Sequence, residues 1–144
     1  MFVVDTNILV YAADRAAPEH EACRSRLEAW RAASDPWYLT WPIVYEFLRV
    51  TTHSRVLRRP WSVREAWAFI QALQASPSLS FLVEGERHES TFDAIASELP
   101  DLRGSILHDA HTAALMRENG VRVIYTRDND FHRFPFLEVR DPLR

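Results

Sequence analysis

The chain has 144 residues, 47% of them hydrophobic and 26% charged, which is enough to bury a core without staples and too apolar for a disordered chain. A net charge of −3 excludes an overall basic nucleic-acid binder, so any such role must come from local charge. One cysteine excludes an internal disulfide and a four-thiolate zinc site, and none of the 17 basic residues is a lysine, which disfavours Schiff-base and lysine-base mechanisms.

The amino terminus enters a strand directly, and no apolar run is long enough to span a bilayer. A cytoplasmic protein with one domain over residues 1–144 is expected. Phe2-Val3-Val4 is a β-branched run that stops at Asp5, and Thr6, Asn7 and an apolar helical pattern over 8–14 follow it. Asp5 therefore belongs at the carboxyl end of the first strand, the edge where open α/β sheets bind ligands. A second helix is expected over 18–33, with Cys23, Leu27 and Trp30 on its apolar stripe, until Asp35-Pro36 breaks it.

Trp37 to Thr40 reads as a strand, and Pro42 suits the first turn of a helix running to about Val50 and carrying Glu46. From Arg49 to Arg64 the chain turns basic, through Arg55, Arg58 and Arg59, with no acid between Glu46 and Glu65. This stretch can grip phosphates, or it can be a solvated helix end and loop. Ser62 and Glu65 have capping-box spacing ahead of a helix that buries Ala66, Phe69, Ile70 and Leu73. A strand over 79–83, a helix over 87–99 and a helix over 105–119 come next, ended by Asn119-Gly120. Val121 to Tyr125 is the most strand-like stretch, Thr126 to Asp130 a turn-rich loop, and 137–139 a last short strand. Strands alternating with helices imply a parallel sheet covered on both faces.

Four acids stand where such a sheet could bring them together. Asp5 can simply cap the following helix, but Asp128 also follows a strand after Thr126, so two strands end in carboxylates on one edge. Glu46 can pair with Arg49 at a spacing of three, yet it borders the buried stripe of Ile43, Phe47 and Val50. Asp109 can be a dipole-favoured surface acid, but it projects between Ala113 and Met116 on the small-residue side of its helix. Asp128 and Asp130 also suit an ordinary turn, and Thr126 could orient a neighbouring carboxylate. His108 and His111, three apart with no cysteine or third histidine near them in sequence, read as surface or packing residues. Converging carboxylates repel one another unless a cation joins them, and oxygen-only ligands select Mg²⁺ or Mn²⁺, the ions of phosphodiester hydrolysis.

The Val-Val-Asp-Thr-Asn-Ile-Leu opening at 3–9, Glu46, His-Asp-Ala at 108–110 and Thr-x-Asp-x-Asp-Phe at 126–131 resemble, in this order, a PIN-domain protein of the VapC toxin type. The resemblance spans essentially the whole chain. It implies a three-layer α/β/α fold with a short parallel sheet of about five strands, and a Mg²⁺- or Mn²⁺-dependent endoribonuclease. Asp5, Glu46, Asp109 and Asp128 match the acidic catalytic and metal positions; Thr6, Asn7, Thr126 and Asp130 match supporting ones. It further implies a toxin of a type II toxin–antitoxin pair, a homodimer, and a cognate antitoxin whose basic tail enters the acidic pocket. Competing readings are a phosphoacceptor domain, which normally needs the lysine this chain lacks, a catalytically silent binding module, and a nuclease acting on DNA or on RNA outside a toxin–antitoxin pair.

Overall fold

In the computed structural model, which describes residues 1–144, five short strands form one fully parallel sheet. They are β1 (Phe2–Val4), β2 (Trp37–Thr40), β3 (Leu79–Leu82), β4 (Val123–Tyr125) and β5 (Glu138–Arg140), ordered β3-β2-β1-β4-β5. The connections hold α1 (Thr6–Ala13), α2 (His20–Ala32), α3 (Trp41–Thr51), α4 (Val63–Gln74), α5 (His88–Glu98), α6 (Ile106–Glu118) and a 3-10 turn at Asn129–Arg133. The chain grows outward from β1 through β2 to β3, then crosses to the other side of β1 for β4 and β5. With right-handed crossovers, this reversal places α1 to α4 on one face and α5 and α6 on the other. It also makes the carboxyl ends of β1 and β4 the point where the connecting loops part and leave a crevice.

Register aligns the two strand ends. Val4 pairs with Tyr125, and the Asp5 amide donates to the Tyr125 carbonyl at 3.0 Å, so Asp5 and Thr126 leave the sheet side by side. Val3, Val4, Leu39 and Ile124 are fully buried, as strands covered on both faces require. Ala110, Ala113 and Ala114 have no exposed surface, and these short side chains seat α6 deep in the molecule.

Local signals explain most boundaries. Asp5 caps α1, which therefore begins at Thr6, two residues earlier than the apolar pattern suggests. The expected Ser62/Glu65 capping box forms at α4. Strand β4 begins at Val123 because Gly120, at φ +69°, turns the chain so that the Val121 amide closes α6 on the Met116 carbonyl. The turn-rich loop after β4 tightens into a 3-10 turn, since Asp128 Oδ1 accepts from the Asp130 amide at 2.9 Å. Cys23 is a buried core thiol, with burial pushing it up to about 11. No helix is long and apolar enough to cross a membrane.

Candidate active site

A cleft of about 650 Å³ opens at the carboxyl ends of β1 and β4, and Asp5, Glu46, Asp109, Asp128 and Asp130 all line it. Four separate parts of the chain deliver these acids: the end of β1, the middle of α3, the first turn of α6 and the loop after β4.

Asp5 is the most constrained. It is 8% exposed, Oδ1 accepts from the Thr6 amide at 2.7 Å, and Oδ2 accepts from Asn7 Nδ2 and Thr126 Oγ1, each at 2.7 Å. Thr126 Oγ1 in turn accepts from Asn7 Nδ2 and from the Asp128 amide, each at 2.9 Å, and Asn7 Oδ1 accepts from the Arg127 amide at 3.2 Å. The expected supporting residues thus have concrete roles. Asn7 and Thr126 bind the two strand ends to each other, and Thr6 donates its amide while its side chain lies along the cleft.

Burial is the main force on the Asp5 carboxyl. It raises the group to about 6 against the hydrogen bonds from Thr126 and Thr6, and the charges of Asp128 and Glu46 add to the rise. Asp109, half-buried, is pushed up to about 7 by burial first and then by the negative charges of Asp5, Asp128, Asp130 and Glu46. Oxygens from Asp109, Asp128 and Asp130 lie within 4.8 Å of one another, a span one cation can bridge. Asp130, which by itself suits an ordinary turn residue, therefore stands inside the cluster.

Glu46 differs from the others. Its carboxylate accepts from Arg49 Nε at 2.9 Å and Nη2 at 2.5 Å, and this guanidinium holds it below the usual carboxylate range, with His108 adding to the effect. Both sequence readings hold together here, since Glu46 pairs with Arg49 and also lines the cleft. Arg49 is the one member of the basic stretch on that lining. Arg58 and Arg59 instead line a separate cavity of about 510 Å³ with Arg15, Asp14 and Trp61, and Arg55 is exposed on the same loop.

Two further side chains line the cleft beside the acids, His108, expected as a surface or packing residue, and Tyr11, which the sequence did not single out. His108 directly precedes Asp109, which was the available signal; Tyr11 had none, since its position depends on how α1 packs.

Family comparison agrees with this geometry: the PIN domain model matches residues 2–137. The chain belongs to the PIN-domain family. Ribonuclease VapC43 of Mycobacterium tuberculosis is 38% identical to this PIN domain over 143 residues, spanning 99% of the chain and 96% of its own length. Ribonuclease VapC48 of the same organism is 32% identical over 138 residues, spanning 96% and 94%. Among solved structures, the crystal structure of M. tuberculosis VapC20, a sarcin-ricin loop cleaving toxin, superposes with TM-score 0.66 at 21% identity, covering 98% of this chain and all of that one. VapBC2 from Rickettsia felis, bound to a DNA fragment from its promoter, gives TM-score 0.68 at 15% identity, covering 96% of each chain. The three-layer fold with its short parallel sheet is thus that of the PIN domain.

Proposed function

We propose that this PIN domain is a Mg²⁺- or Mn²⁺-dependent endoribonuclease, the toxin of a type II toxin–antitoxin pair. The observation that carries the proposal is the convergence of five carboxylates in one cleft, where burial and mutual repulsion lift Asp5 to about 6 and Asp109 to about 7. Curated relatives that match nearly the full chain are named VapC ribonucleases, which favours RNA as the substrate.

The residues fit a divalent cation. Every close donor is a carboxylate oxygen, and two of the acids sit at values that a cation would reverse. Asp5, Asp109 and Asp128 would hold the ion, with Glu46 and Asp130 beside them. When bound, such an ion supplies Lewis acidity to the phosphodiester and eases deprotonation of water.

The protein's own groups do the rest. Thr6, Asn7 and Thr126 keep Asp5 in one orientation, so the cleft is organised before substrate arrives. Without a cation Asp109 and Asp5, both raised, hold a proton near neutral pH, which a bound ion would displace. Arg49 at the rim offers the first cation a phosphate would meet; Arg55, Arg58 and Arg59 extend that charge along the adjoining loop. An antitoxin with a basic tail would silence the enzyme by placing a guanidinium among these carboxylates. Half-exposed Trp41 and exposed Tyr45 on α3, with exposed Val63 on α4, support the expected homodimer by leaving apolar surface for a second copy.

The test is Mn²⁺-dependent cleavage of RNA by purified wild type, Asp5→Asn and Asp109→Asn, with circular dichroism to verify folding. Each substitution is expected to lower the rate by about 100-fold or more. Undiminished cleavage in both variants would remove these acids from the mechanism.

A further inference from the structure

On the other side of α6, the molecule assembles a second and chemically different cluster. His111 Nε2 donates to Glu84 Oε1 at 2.7 Å, and the ring of His88 stands 5.5 Å from that of His111 at an interplanar angle of 64°. Donor atoms of Glu84, His88 and His111 lie within 4.8 Å of one another. Glu84 follows β3, His88 opens α5 and His111 lies on α6, so the histidine partner that His111 lacks in its local sequence is supplied by the fold.

Behind this triad sits Glu118, seven residues after His111 and so on the same face of α6. Its side chain is only 5% exposed. Its Oε2 accepts from His88 Nδ1 at 3.1 Å and its Oε1 from the Gly85 amide at 2.8 Å. The missing side chain of Gly85 makes room for this approach, because a Cβ there would fall 2.7 Å from Glu118 Oε1 and push the carboxylate aside. Arg87 Nη2 donates to the Glu118 carbonyl at 2.8 Å, tying the same turn to the end of α6. A buried carboxylate fixed on Nδ1 leaves Nε2 of His88 as the free lone pair, the arrangement by which metal-bound histidines are oriented.

We infer that Glu84, His88 and His111 form a Zn²⁺ site, with Glu118 as the positioning residue for His88 and a fourth position left to water. Two imidazoles and a carboxylate suit zinc and not the hard ions of the acidic cleft. On binding, the ion takes the place of the proton shared between His111 Nε2 and Glu84, and the ring proton of His111 resides on Nδ1. The site staples the Glu84–His88 turn to the helix that carries Asp109.

The test uses the full chain, freed of metal, with millimolar Mg²⁺ present to occupy the acidic cleft. The expected result is one Zn²⁺ retained per chain through dialysis, a rise in Tm, and, with Co²⁺ as the probe, visible absorption of a low-symmetry nitrogen and oxygen site. His111→Gln and Glu84→Gln, both on partly exposed side chains, should each weaken Zn²⁺ at least tenfold with Tm in chelator unchanged. Glu118→Gln should weaken it about 10- to 100-fold by releasing the His88 ring. Asp5→Asn and Asp109→Asn should leave it intact. No Zn²⁺ retention over Mg²⁺, or retention lost in the aspartate variants and indifferent to His111→Gln and Glu84→Gln, overturns the site.

Discussion

Helix α6 presents two polar faces that solve the problem of burying charge in opposite ways. On the Asp109 side, like charges crowd together with only Glu46 paired to a cation, and Asp5 and Asp109 respond by rising towards neutrality. On the Glu118 side each carboxylate already has a donor: an imidazole for Glu84, an imidazole and a backbone amide for Glu118. One face is an electrostatic deficit that only a ligand can repair, and the other is largely satisfied within the chain. Removing an acid should therefore have opposite effects on stability at the two places.

The largest effect is expected at the hydroxyl that joins the two strand ends beneath the acids. Thr126→Val removes a buried hydroxyl that donates to Asp5 and accepts from Asn7 and the Asp128 amide; denaturant unfolding should show a loss of about 2–3 kcal/mol, with cleavage reduced as Asp5 loses its orientation. Glu118→Ala takes away the buried carboxylate that accepts from the Gly85 amide and from His88 Nδ1, and should cost roughly 1–3 kcal/mol in the same measurement.

Asp109→Asn should do the reverse in metal-free protein. Folded Asp109 sits at about 7 against an ordinary 3.8, so between these values the folded state binds the extra proton and its stability falls as pH rises, levelling off above about 7. The asparagine variant should escape that loss, gaining about 1 kcal/mol at pH 8 and nothing at pH 3.5, after allowance for the half-open site. A thermal series across pH decides it, and destabilisation by Asp109→Asn at pH 8 would break the contrast between the two faces. Saturating Mg²⁺ or Mn²⁺ should erase the difference by favouring the wild-type folded state.

The smallest effect is expected at Arg49, whose pair with Glu46 is largely exposed. Arg49→Ala should change stability by less than about 0.5 kcal/mol while raising KM for RNA. The double change of Arg58 and Arg59 to Glu should leave Tm nearly constant and flatten the salt dependence of RNA binding. An unaltered slope would show that their cavity faces away from the RNA path.

Legibility in the sequence followed distance along the chain. Asp5 and Asp128 were readable because each follows a β-branched strand, and parallel pairing puts such ends on one edge. Glu46 and Asp109 were readable from helical projection, which places a side chain on one face of its own helix. Asp130 was placed only by the family resemblance and not by its own residues, because a turn residue's direction depends on the 3-10 winding that Asp128 imposes. The His88–His111 pairing was hidden for a related reason: it spans α5 and α6, and no periodicity reports how two helices lie against each other.

The amino-acid order by itself determined the alternation of strand and helix, the capped starts of α1 and α4, and the acids at the strand ends, since all of these depend on neighbours within a few residues. Only the tertiary structure decided that five carboxylates share one cleft, that Arg58 and Arg59 stand outside it, and that Glu118 is buried behind two histidines. Those outcomes are set by strand order and helix packing, where contacts between residues far apart in the chain outweigh any local preference.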